Sequence, residues 1–155
     1  EGNDYFGMSY YAKISLTPYP ITEIDMPGKL AQLKRPHDKM WEYDPNGMKE
    51  SIERFWQKYK LPIIITESGI CTDDSQVRIN SIKDYLSILH QCQQNGIDIK
   101  GYFHWTTMDN FEWNLGPTYK FGLVNVDYDT GKRTLKPCGE FYSQVVRNGG
   151  IVEDK

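Results

Sequence analysis

Residues 63–66 read Ile-Ile-Ile-Thr, an unbroken β-branched run that stops against a carboxylate, Glu67, and lies between two segments of helical period. β-Branched residues fit an extended backbone. A run with no polar alternation predicts a strand buried on both faces. Upstream, Asp44 is placed to cap a helix whose first residue is Pro45. Met48, Ile52, Phe55, Trp56 and Tyr59 then fall along one helical face. Downstream, a second helix is predicted over residues 73–95, with Ile82, Tyr85, Leu86, Leu89 and Cys92 on one side and Asn95-Gly96 as its stop. A buried strand between two amphipathic helices belongs to a parallel sheet joined by right-handed crossovers.

The rest of the chain extends that alternation. A strand is predicted over residues 4–11 and a third over residues 97–105. Between the first strand and the first helix, residues 12–44 hold Pro18, Pro20, Pro27 and Pro36 with no periodic pattern. A stretch this long and irregular is expected to be a functional excursion. After the third strand, residues 106–120 form an aromatic-rich loop. Residues 121–128 and 134–135 flank Asp129-Thr-Gly131 and read as a hairpin. Pro137 starts a last helix with Phe141, Tyr142, Val145 and Val146 inward, ended by Asn148-Gly149-Gly150.

Composition narrows the function classes. The chain has 155 residues, 25% of them charged, and a formal net charge of -3, which suits a globular domain and leaves no basic footprint for nucleic acid. It contains no run of about 18 apolar residues, so no membrane span is expected. Cys71, Cys92 and Cys138 cannot all pair within one chain. They suggest a reducing compartment or plain core packing, and the cytoplasm is the expected location. His37, His90 and His104 show no metal-ligand spacing with these cysteines, and no phosphate-cradling glycine loop is present, so neither metal nor cofactor is expected. The aromatic content, 14%, is high. Part of it must be core, and the part on polar loops suits flat ligands such as sugar rings.

In parallel sheets the chemistry gathers at the C-terminal strand ends. At the second strand this places Glu67 within Thr66-Glu67-Ser68-Gly69. A carboxylate after four buried positions must be used or neutralised; it is either a cap or satisfied edge group, or a nucleophile or base. At the first strand, alternation sets Ser9 and Tyr11 on one face and Tyr10, better suited to core packing, on the other. A phenol beside a carboxylate orients it by hydrogen bonding. After the third strand comes Trp105-Thr-Thr-Met-Asp-Asn-Phe-Glu112-Trp113. Trp105 and Trp113 suit a sugar face and Glu112 suits hydroxyl groups; the plainer reading is a packed loop with Asp109 and Asn110 bonded to backbone. His104 points away from Trp105 along the strand and reads as structural.

These segments together resemble glycoside hydrolase family 1, the β-glucosidases, β-galactosidases and their relatives. The likeness is carried by Ile65-Thr-Glu-Ser-Gly69, by residues 101–113, and by Lys120-Phe-Gly-Leu-Val-Asn-Val-Asp-Tyr128. Residues 4–11 resemble the family's sixth barrel strand, Met40-Trp41-Glu42-Tyr-Asp-Pro45 its aglycone-side tryptophan segment, and Lys136-Pro137 with Phe141-Tyr142 its closing helix. The resemblance implies that Glu67 is the nucleophile of a retaining β-glycosidase and that Tyr11 hydrogen-bonds it. It implies that Trp105 floors the sugar pocket, that Glu112 and Trp113 bind sugar hydroxyls, that Phe121 walls the pocket and that Trp41 stacks on the aglycone. Members acting on 6-phosphosugars lack Asn-Phe-Glu-Trp. Glu112 therefore points to unphosphorylated sugars, since a carboxylate repels phosphate. Ser9 and Ser68 stand where the family usually has Asn, which bears on substrate preference.

The resemblance also sets a limit. A complete (β/α)8 barrel typically needs about 250 residues. The expected fold is therefore α/β: the C-terminal part of a TIM barrel, about strands 6 to 8, with an extra β-hairpin before the last helix. Residues 1–155 would be a C-terminal fragment of one catalytic domain. Retaining hydrolysis uses two carboxyl groups about 5–5.5 Å apart, and the family's acid, in a Thr-x-Asn-Glu-Pro-like segment, has no counterpart here. The expected activity is O-glycosyl hydrolysis of β-linked glycosides or oligosaccharides in concert with the remaining barrel strands, from the same or a complementary chain. The 155 residues alone are expected to be inactive on an unactivated disaccharide. The alternative is a non-catalytic sugar-binding or split-barrel piece. Three strands leave two open sheet edges.

Overall fold

The computed structural model describes residues 2–13 and 36–151. Most of the proline-punctuated stretch, residues 14–35 with Pro18, Pro20 and Pro27, lies outside the described residues. The elements run β1 (Phe6–Ser9), α1 (Pro45–Tyr59), β2 (Ile63–Ser68), α2 (Ser75–Gln94), β3 (Ile99–His104), a short 3-10 turn (Trp113–Leu115), β4 (Val124–Val126), β5 (Arg133–Leu135) and α3 (Pro137–Asn148). β1, β2 and β3 form one parallel sheet in that order, with Phe6 opposite Ile63 and Ile63 opposite Ile99. β4 and β5 form a separate antiparallel hairpin.

The helices start and stop where their caps require. Asp44 accepts from the Gly47 amide ahead of Pro45, and Lys60 ends α1 in a left-handed conformation. Asp74 accepts from the amides of Gln76 and Val77 at the head of α2. The core lies between the helices and one face of the sheet. Met8, Ile63, Ile65 and Ile99 from the strands meet Met48 and Ile52 of α1 and Tyr85, Ile88 and Leu89 of α2. A smaller cluster of Ile82, Leu123 and Cys138 joins α2 to α3. All three cysteines are free and buried.

Four expectations need correction. β2 is not buried on both faces. Ile63 and Ile65 are enclosed, but Ile64 is half-buried and Thr66 is exposed. Thr66 and Ile64 share their face with Gly7, Gly101 and the exposed Phe103, and no described helix covers it. Val146 is 64% exposed, and only Val145 of that pair is buried. Residues 121–123 do not belong to the hairpin. The Leu123 amide donates to the Thr106 carbonyl and the Val124 amide to the Thr107 carbonyl, so this segment runs beside the start of the long loop instead. Tyr59, on the predicted apolar face of α1, is 44% exposed, yet it stacks with Phe6 and Phe55.

Candidate active site

Glu67 is the fifth residue of β2, at the C-terminal end of the sheet. β1 shifts register between Met8 and Ser9, so Ser9 lies opposite Glu67. The Tyr10 amide then donates to the Glu67 carbonyl at 2.9 Å. That shift turns Tyr10 into the core and leaves the Tyr11 phenol free to donate to Glu67 Oε2 at 2.9 Å. Burial and the contact with Glu67 push the Tyr11 hydroxyl well above the usual phenol range. It therefore stays protonated and remains a donor. Ser9 is placed beside Thr66 rather than at the carboxylate: the two hydroxyl oxygens are 3.2 Å apart.

Two further rings enclose Tyr11. Trp41 lies 5.1 Å from it and Phe121 meets it edge-on at 6.3 Å, with Trp41 and Phe121 5.9 Å apart. Phe121 is only 1% exposed, so Trp41 and Tyr11 present the accessible surface and Phe121 backs it.

The end of β3 carries the other half of the site. Gly69 lets the two strand ends close together. A Cβ there would lie 2.0 Å from the Trp105 carbonyl oxygen, and the Trp105 amide donates to the Ser68 carbonyl at 2.8 Å. The peptide between Trp105 and Thr106 is cis. The Trp105 indole donates to Glu112 Oε1 at 3.2 Å, which joins these two predicted residues directly. Glu112 is 9% exposed, and its backbone is closed by a bond from its amide to the Gly116 carbonyl. Trp113 follows at the start of the short 3-10 turn. It has a positive φ of 42° and is 87% exposed, with no ring partner among the described residues.

Two supporting residues, Arg78 and Asp38, escaped sequence reasoning, and a third, Asp109, bonds to backbone as the plainer reading of the loop expected but also pairs with Lys136. Asp109 is buried and accepts from both Lys136 Nζ at 2.8 Å and the Gly122 amide at 2.9 Å, which ties the aromatic loop to the base of α3 and to Phe121. Arg78, fully buried, donates to the Thr72 and Lys120 carbonyls. Asp38 accepts from three backbone amides. An aspartate three residues before Trp41 is a recognisable Asx-turn signal; the long-range partners have no local signature. His104 behaves as the sequence suggests: its ring packs against Tyr142 and its Nδ1 lies 3.3 Å from the Tyr102 hydroxyl.

Two grooves lie apart from this arrangement. One of about 900 Å³ lies at the opposite end of β3, lined by Leu86, His90, Lys100, Tyr102 and Val145 among others. One of about 440 Å³, lined by His37, Asp38, Lys39, Thr118 and Tyr119, adjoins the Trp41 segment. Among the described residues no cluster of His, Cys, Asp and Glu fits a metal ion, and no helix is long and apolar enough to cross a membrane.

A family model for glycosyl hydrolase family 1 matches residues 1–151. The chain belongs to that family. It is 35% identical to β-glucosidase A of Thermotoga maritima, over 97% of this chain and 36% of that protein. It is 30% identical to a β-galactosidase of Sulfolobus acidocaldarius, over 97% of this chain and 33% of the relative. The solved structure of a family 1 β-glucosidase of Thermotoga maritima in complex with isofagomine lactam superposes with a TM-score of 0.82 at 31% identity, over 98% of this chain and 36% of that one. The chain thus spans about a third of the length of the relatives it matches. Its α/β fold fits as a fragment of theirs, and β-glycoside hydrolysis is the chemistry its family members are named for.

Proposed function

We propose that residues 1–155 form the C-terminal part, about strands 6 to 8, of the barrel of a retaining β-glycosidase acting on β-D-glucosyl or related residues. Glu67 is its nucleophile, and Tyr11 holds that carboxylate. Trp105 and Glu112 form one wall of the sugar pocket, Trp113 and Ser9 border it, and Trp41, backed by Phe121, faces the aglycone. The acid/base group and the rest of the pocket come from the remaining barrel strands, in the same or a complementary chain. The observation that carries this reading is the 2.9 Å bond from Tyr11 to Glu67 at the C-terminal end of a parallel sheet. The Trp105–Glu112 pair beside it supports a sugar-binding role.

The test uses an activated 2-deoxy-2-fluoro-β-glucosyl fluoride. The Glu67 carboxylate attacks the anomeric carbon, the carbon–fluorine bond breaks, fluoride leaves, and a glycosyl ester remains on Glu67. No acid is needed, because fluoride is a good leaving group. Peptide mass mapping should find the label on Glu67 and none after Glu67→Gln. A label on another residue, or none in a preparation containing the full barrel, overturns the proposal. The 155-residue chain alone should show no hydrolysis of an unactivated disaccharide. A second reading, a sugar-binding module without catalysis, is favoured by the exposure of Phe111 and Trp113. Calorimetric titration with glucose giving clear binding but no labelling would select it.

A further inference from the structure

Asp38 occupies a position that joins two loops of the site. Its Oδ1 accepts from the amides of Met40 at 2.6 Å and Trp41 at 2.7 Å, and its own amide donates to the Trp41 carbonyl at 2.9 Å. These bonds fold residues 38–41 into a closed turn. Its Oδ2 faces the other way and accepts from the Cys71 amide at 2.7 Å. Cys71 lies four residues after Glu67. The Lys39 amide returns a bond to the Cys71 carbonyl at 3.2 Å, and the Lys39 ammonium pairs with Asp73. One carboxylate thus clamps the Trp41 turn onto the loop that leaves the Glu67 strand.

The ring contacts continue from that clamp. Trp41 lies against Tyr11 at 5.1 Å and against Phe121 at 5.9 Å, and Tyr11 donates to Glu67. An indole on a free turn would sample several rotamers, whereas one whose backbone is fixed at both faces of a carboxylate has few. We propose that Asp38 is a positioning residue: its carboxylate seats the Trp41 indole on the Tyr11 ring and so holds the phenol that bonds Glu67. The seating stands on its own; its catalytic consequence rests on Glu67 being the nucleophile.

Two variants separate the arms of the clamp. Asp38→Asn keeps a carbonyl oxygen for the Met40 and Trp41 amides but turns an amide group toward the Cys71 N–H. Asp38→Ala removes both arms. Burial raises the Asp38 carboxyl above its ordinary range although three amides and His37 oppose the shift. Loss of the charge is therefore compatible with folding. The first measurement is acrylamide quenching of Trp41 fluorescence, taken as the difference between each chain and its Trp41→Phe counterpart. Quenching should rise in Asp38→Ala and to a smaller extent in Asp38→Asn; unchanged quenching in both overturns the clamp.

The second measurement is the rate of Glu67 labelling by the fluoro-glucosyl fluoride, with the melting temperature recorded alongside. Asp38→Ala should label about tenfold more slowly at a similar melting temperature, as expected for a displaced reacting group. Asp38→Ala should add little in a Trp41→Ala background, because the two act through one contact. Additive losses show that Asp38 does not act through Trp41 and overturn the proposed role. If the unaltered protein, in a preparation containing the full barrel, is not labelled at all, the nucleophile reading fails, and the quenching result alone decides the clamp.

Discussion

The Tyr11 hydroxyl donates to Glu67 Oε2 at 2.9 Å across 56 residues of sequence. A neutral donor to an ionised acceptor contributes roughly 1.5–3 kcal/mol. Tyr11→Phe removes the donor and keeps the ring against Trp41 and Phe121. The fold should be retained, since both ring contacts persist, while glycosyl labelling of Glu67 should slow by about ten- to a hundredfold. Rates within twofold of the unaltered protein would show that the phenol does not act on the carboxylate.

The Asp109–Lys136 pair should matter more for stability than either residue suggests in sequence. Their side chains are 1% and 13% exposed, and Asp109 also satisfies the Gly122 amide. Removing one member of such a pair leaves the other charged and enclosed, at a cost of about 3–5 kcal/mol. Lys136→Met and Asp109→Ala should each lower the urea midpoint strongly. The double variant should be less destabilised than the sum of the two. Additive single effects would mean that the two charges do not depend on each other.

Gly69 should tolerate no side chain. An added Cβ would meet the Trp105 carbonyl at 2.0 Å. The obstacle is backbone, which cannot rotate aside. Gly69→Ala must therefore part the ends of β2 and β3, where Glu67 and Trp105 stand, at a cost of about 1–3 kcal/mol or more. Hydrogen exchange at the Trp105 amide, which donates to the Ser68 carbonyl, should accelerate relative to amides such as Ile63 at the far end of the sheet. Uniform acceleration across the sheet would indicate general destabilisation instead.

Local chemistry made much of this fold legible. The β-branched run of β2, the Asp44–Pro45 start of α1 and the Asn95-Gly96 end of α2 are each decided within a few residues, and each lies where expected. The Tyr11–Glu67 bond was expected from the family resemblance, with which period-2 alternation agreed; the register shift at Ser9 that produces it was not legible. What could not be read depends on partners far along the chain. Residues 121–123 pair with residues 106–107 rather than continuing the hairpin. Asp38 meets Cys71 across 33 residues and Asp109 meets Lys136 across 27. Trp113 is exposed and its backbone takes a positive φ, neither of which a side-chain pattern announces. The exposed face of β2 has the same origin: an apolar run predicts what a strand needs, and its actual cover comes from other segments.

His104 provides a pH test of the sheet's outer side. Its Nε2 is enclosed without a hydrogen-bond partner among the described residues. Burial, with the nearby Arg78 guanidinium, lowers its pKa from 6.5 to about 3. The folded chain therefore keeps His104 neutral where an unfolded chain would protonate it. Its contribution is fully present above pH 6.5 and is lost as the pH falls from there toward about 3. The slope approaches about 1.4 kcal/mol per pH unit inside that window. Urea unfolding between pH 7.5 and roughly 5, above the range where most carboxylates titrate, should show this decline. His104→Gln should flatten it. Equal slopes in the two proteins would mean that the imidazole is protonated as readily in the fold as outside it.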